Sequence, residues 1–178
     1  MSKEYSRAPR KQITLGIDPG TRRIGYGVVA GRGSSLEFLD GGLIKVVSRD
    51  DVGALQEIRR GVGALVARWH PTVVGIERLF FAKNQKTAMG VAQARGVILV
   101  ACGELGIPIA EYAPSEVKLS LTGDGAADKR AVGKMVRLVL RQPDLNLIDD
   151  AMDAIGIAIV ASGDHSTVPR TRLDRRSG

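Results

Sequence analysis

The sequence predicts an α/β fold in a single domain, and three observations carry that prediction. Short runs of branched apolar residues alternate with longer segments of helical periodicity, the pattern of strands and helices sharing one core. The chain has 178 residues, of which 44% are hydrophobic, enough for one ordinary domain with a real interior. Two of the apolar runs, at residues 13–17 and 72–76, each deliver one acid, Asp18 and Glu77, where the strand leaves the core.

Residues 1–11 carry Lys3, Arg7, Arg10 and Lys11 around one proline and are expected to form a basic flexible arm. The folded domain is expected at 12–162, and a basic disordered tail at 163–178. Residues 13–17 form a buried strand, and Asp18-Pro19-Gly20-Thr21 turns the chain into a second strand from about Ile24. Gly25 and Gly27 on that strand would admit another backbone at close range, or relax its pairing. A carboxylate at Asp18 is costly to desolvate unless a cation or donor meets it. An Asp before Pro-Gly also caps its own turn, and on the turn alone the two readings stand even.

A third strand is expected over 36–47, with a bulge at Gly41-Gly42. Val52, Leu55, Ile58, Val62, Leu65 and Val66 recur at helical spacing, and His70-Pro71 ends that helix. The strand at 72–76 delivers Glu77, and a loop follows in which Phe80 and Phe81 lie between Arg78 and Lys83. A helix over 87–105 contains Ala88, Gly90, Ala92, Ala94 and Gly96, small residues that permit close contact with another helix, of this domain or of a second subunit. A fifth strand at 107–112 starts with Pro108, which places it at a sheet edge. Short helices are expected over 114–121, carrying Lys118, and over 129–140, starting at Lys129. A last helix begins at Asp149 or Asp150 and runs to Val160.

Lys and Arg number 26 against 19 Asp and Glu, a net charge of +7. That excess points to a polyanionic partner, nucleic acid before membrane surface. Aromatics at 4% argue against an extended base-stacking platform. No apolar run approaches the ~18 residues of a membrane span, and the first residues lack the apolar centre of a secretory signal. Cys102 is the single cysteine, which excludes an internal disulfide, fits a reducing cytoplasm and suits a small core residue.

Asp150 and Asp153 stand three residues apart on the last helix and so share a face. A helix dipole accounts for acids in the first turn, Asp149 and Asp150 included, but less well for Asp153 beside Met152, Ala154 and Ile155. If Asp18, Glu77, Asp150 and Asp153 converge, packed like charges raise one another's pKa, and a divalent cation relieves the conflict. Oxygen donors without His or Cys select Mg²⁺ or Mn²⁺ over zinc.

Taken together, LGIDPGTRRIGYGVV, GIERLFFAKN, QARGV and DDAMDAIGIAI resemble the RuvC-type Holliday-junction resolvases of bacteria, in order and at comparable spacing from Ile13 to about Ser162. The resemblance implies a ribonuclease-H-like fold, a central five-stranded mixed sheet flanked by helices. It implies a homodimer that binds four-way DNA junctions and nicks two opposing strands, leaving 5′-phosphate and 3′-hydroxyl ends, in recombination and repair. It places the catalytic and metal-binding acids on Asp18, Glu77, Asp150 and Asp153, around two Mg²⁺ or Mn²⁺ ions. Some relatives carry His at the Asp150 position, and Asp149 beside it is either a competing ligand or a helix cap. The resemblance puts the junction-probing aromatic on Phe80, with Phe81 adjacent, and DNA-contacting lysines on Lys118 and Lys129; Lys83 joins them by its neighbourhood. A branch-migration motor as partner and a cytoplasmic, nucleoid-associated location follow from the same resemblance.

Two rival readings come from the residues themselves. The Asp-Pro-Gly-Thr hairpin also resembles the phosphate-binding hairpin of actin-like ATPases, but 178 residues do not comfortably hold their two domains. A junction-binding protein that does not cut would share the basic surface, but has no need of all four acids.

Overall fold

The computed structural model describes residues 11–78 and 85–163. Five strands form one sheet: β1 (Ile13–Asp18), β2 (Arg23–Ala30), β3 (Glu37–Lys45), β4 (Val73–Glu77) and β5 (Ile109–Tyr112), in the order β3-β2-β1-β4-β5. β1, β2 and β3 pair antiparallel, while β1–β4 and β4–β5 are parallel. The sheet is therefore mixed, and β5 lies at its edge as Pro108 predicts. Five helices complete the chain: α1 (Asp51–Trp69), α2 (Gln85–Glu104), α3 (Pro114–Thr122), α4 (Lys129–Leu140) and α5 (Asp149–Gly163).

Each helix starts and stops for local reasons. Asp50 caps α1 by accepting from the Gly53 N–H at 2.7 Å, and His70 ends it in the left-handed region at φ 47°. Asp128 caps α4 by accepting from the Ala131 N–H at 2.8 Å, so Lys129 opens that helix in a fixed place. Gly123, at φ 78°, closes α3.

Two cores sandwich the sheet. Leu15, Ile17, Ile24, Val28, Val74 and Ile76 meet α1 and α2, with Cys102 buried among them. The other face is covered by α5, packed in turn against α3 and α4 through Ile155, Ile157, Val117 and Val136. Burial holds the Cys102 thiol up at about 11, which suits a core residue.

The bulge expected at Gly41-Gly42 lies earlier. Val28 pairs with Asp40 and Val29 with Phe38, so Leu39 is the extra residue. Gly41 and Gly42 stay in register, opposite Gly27 and Tyr26. Their lack of side chains serves packing, since Ile155, Leu147 and Phe38 crowd Gly41 and the Tyr26 ring covers Gly42.

α5 lies directly on the strands because they present glycine beneath it. A methyl added at Gly25 would fall on the Asp150 carbonyl oxygen. At Gly27 it would come within 2.6 Å of Ile155 Cα, at Gly16 within 2.9 Å of Ala158 Cβ, and at Gly75 within 2.8 Å of Ala161 Cβ. The helix thus crosses β2, β1 and β4 at close contact, and its first turn sits over the start of β2.

Candidate active site

The strand register brings the first two acids together. Ile17 pairs with Ile76 in the parallel β1–β4 ladder, so Asp18 and Glu77 leave the sheet side by side. Side chains alternate along a strand, so Asp18 shares the face of Gly16 and Glu77 that of Gly75. Both glycines touch α5, and both acids therefore point toward it. Gly25, the cross-strand partner of Asp18, carries the Asp150 backbone, and Asp153 follows one helical turn later.

The acids feel one another strongly. Burial, then the charges of Glu77, Asp153 and Asp150, push the Asp18 carboxyl from 3.8 up to about 8, with Lys129 opposing. Burial and then Asp153 raise Glu77, against Lys118 and Lys129. Burial likewise raises Asp153, against Lys129. Among the described residues, no three His, Cys, Asp or Glu side chains are drawn close enough to enclose an ion. The four carboxylates form an open cluster whose members share one field. All their donors are oxygen, and their crowded negative charge is what a hard divalent cation would neutralise, so the residues present fit such an ion.

The lysines flank this cluster. Lys129 Nζ stands 3.5 Å from both Asp149 and Asp153, and their charges, Asp153 first, hold its pKa up. Lys118 joins Lys129, Glu77 and Asp153 in lining a cleft of about 230 Å³, together with Val117, Val132 and Ile157. Asp149 is the exposed acid of its pair; Asp150, less exposed, has Arg23 Nε 3.5 Å from its Oδ2. Arg23 did not figure among the sequence candidates, although it lies only five residues from Asp18. Phe80, Phe81 and Lys83 lie outside the described residues.

Known proteins match this chain along most of its length. A family model for crossover junction endodeoxyribonuclease RuvC matches residues 14–161. A curated relative of that name from Roseiflexus sp. (strain RS-1) is 44% identical over 147 residues, covering 82% of this chain and 88% of the relative. One from Natranaerobius thermophilus is 39% identical over 162 residues, covering 90% and 99%. The solved structure of Thermus thermophilus RuvC in complex with Holliday junction substrate superposes with a TM-score of 0.78 at 33% identity, over 83% of this chain and 91% of that one. The yeast mitochondrial Holliday junction resolvase, at 12% identity and a TM-score of 0.60, shares the fold alone. The architecture is ribonuclease-H-like, and the chain belongs to the RuvC family of crossover junction endodeoxyribonucleases.

Proposed function

We propose that this chain resolves four-way DNA junctions by paired, symmetric phosphodiester cuts, and that Asp18, Glu77, Asp150 and Asp153 are the catalytic acids. The observation that carries this reading is geometric: Asp18 and Glu77 end neighbouring parallel strands on the face covered by α5, the helix that bears Asp150 and Asp153, and the charges of those three acids, after burial, raise the Asp18 carboxyl. Family membership and the Thermus relative solved with a Holliday junction support the substrate.

Bound Mg²⁺ or Mn²⁺, two ions per site, would supply a nucleophilic water and stabilise the departing oxygen. Asp18, Glu77, Asp150 and Asp153 would hold these ions, Asp18 being the acid that feels the charges of the other three. Lys118 and Lys129, on the rim of the cleft, would hold the phosphate to be cut and offset its charge. Phe80 or Phe81 would probe the crossover, where stacking is already interrupted. Cuts paired by symmetry require two such sites, hence a homodimer. The outward side of α2 suits that contact, since Met89 and Val100 are exposed and Gly96 faces open space. A branch-migration motor would be the further partner, in the cytoplasm at the nucleoid. No helix among the described residues is long and apolar enough to cross a membrane.

The test is Asp18→Asn with a synthetic junction. Cleavage in Mg²⁺ or Mn²⁺ should disappear while junction binding stays intact or tightens. Loss of binding together with cleavage would contradict the metal-binding role.

A further inference from the structure

The acid cluster has basic residues on both sides, and only one side is explained by the lysines above. On the other side β2 begins at Arg23, which pairs directly across the antiparallel ladder with Lys45, the last residue of β3. Partners in such a pair share a face, with Cβ atoms about 5 Å apart. Alternation fixes which face it is. Gly25 touches Asp150 of α5, so Arg23 and Lys45 also point to the α5 side, at the mouth of the site. Both are exposed, and among the described residues Lys45 meets no carboxylate.

Like charges opposite one another on a ladder repel; an anion lying between them removes the repulsion. Arg23 also reaches Asp150, which ties this pair to the acid cluster. The chain beyond β3 is anchored in place, since the Arg22 guanidinium donates to the carbonyls of Ser48 and Arg49. That leaves the Arg49 side chain exposed beside the same hairpin. Strands lie about 4.8 Å apart, so β3 and β4 bracket the Asp18 strand end within roughly 10–15 Å. A DNA strand with one phosphate in the acid cluster has neighbouring phosphates over both flanks.

We propose that Arg23 and Lys45 form a second phosphate-binding bank, holding the DNA backbone on the β3 side of the acid cluster, opposite Lys118 and Lys129. The proposal rests on the nuclease reading of the acids. The test measures binding of a labelled four-way junction in EDTA, as a function of salt, for the parent, Arg23→Gln, Lys45→Gln, Arg23→Lys and Arg59→Gln. Arg59, paired with Glu104 at the far end of α2, controls for net charge.

Arg23→Gln and Lys45→Gln should each weaken binding and lower the slope of log affinity against log salt by about 0.9. The gap to the parent then narrows roughly threefold between about 50 and about 200 mM salt. Arg23→Lys and Arg59→Gln should keep the parent slope. Unchanged slopes in both Gln variants, or the same drop in Arg59→Gln, would overturn the proposal. Failure of the underlying reading looks different: the parent binds junctions yet does not nick them in Mg²⁺ or Mn²⁺.

Discussion

Asp18 keeps a proton at pH values where an ordinary carboxyl has released it, because burial and three neighbouring acids oppose its charge. The sign of the consequence is fixed. A carboxyl raised in the folded state contributes stability that is fully present below about pH 4 and lost as the pH rises through about 8. Asp18→Asn cannot ionise, so without divalent metal its advantage in stability over the parent should open above pH 4 and level off beyond pH 8. A shift from 3.8 to about 8 corresponds to about 6 kcal/mol at most, so the difference should reach several degrees in Tm, read by thermal melts across pH. Equal melting temperatures at every pH would mean the acids do not crowd one another. Added Mg²⁺ should raise the parent's Tm more at pH 8.5 than at pH 6 and leave Asp18→Asn less affected. At this scale the sequence was readable where chemistry repeats: two strands each ending in one acid, and two acids three residues apart on a helix. Arg23 was not readable, because its link to Asp150 depends on α5 lying over β2, a contact between residues more than a hundred positions apart.

α5 reaches its place through a helix–sheet contact that tolerates no side chain at Gly25. Gly25→Ala would drive a methyl into the Asp150 carbonyl. It should cost about 3 kcal/mol or more by chemical denaturation, and remove cleavage by displacing Asp150 and Asp153. A variant of parental stability would show that the helix can lift off freely. Asp128→Ala tests how α4 presents Lys129. Loss of the cap should cost about 1 kcal/mol, and cleavage should fall as the first turn of α4 frays; full activity would separate Lys129 from the chemistry. The strands and helices were legible from apolar spacing, turn residues and caps, including the edge position of β5. The bulge was not. Paired glycines look like a break in a ladder, yet Gly41 and Gly42 make room for Ile155 and Tyr26, and the extra residue is Leu39. Side chains arriving from distant elements decided the matter.

At the scale of the whole molecule, the chain carries a net charge of +7, which attracts a polyanion, and the described residues include one open cluster of carboxylates, which suits hard cations. Pairing of cuts adds the demand for two copies. Sedimentation of the 19.0 kDa chain should therefore give twice that mass, and a monomer at micromolar concentration would leave the symmetric cuts without a basis. Composition alone pointed to nucleic acid but not to a junction; that came from four motifs in order, and the family match bears it out. The most direct measurement is cleavage of a four-way junction labelled in turn on each strand, with Mg²⁺ or Mn²⁺, by the parent and by Asp153→Asn. The parent should make matched nicks in two opposing strands, none in EDTA, and the variant should make none. Cleavage that persists in EDTA or in Asp153→Asn would contradict metal-dependent catalysis by these acids.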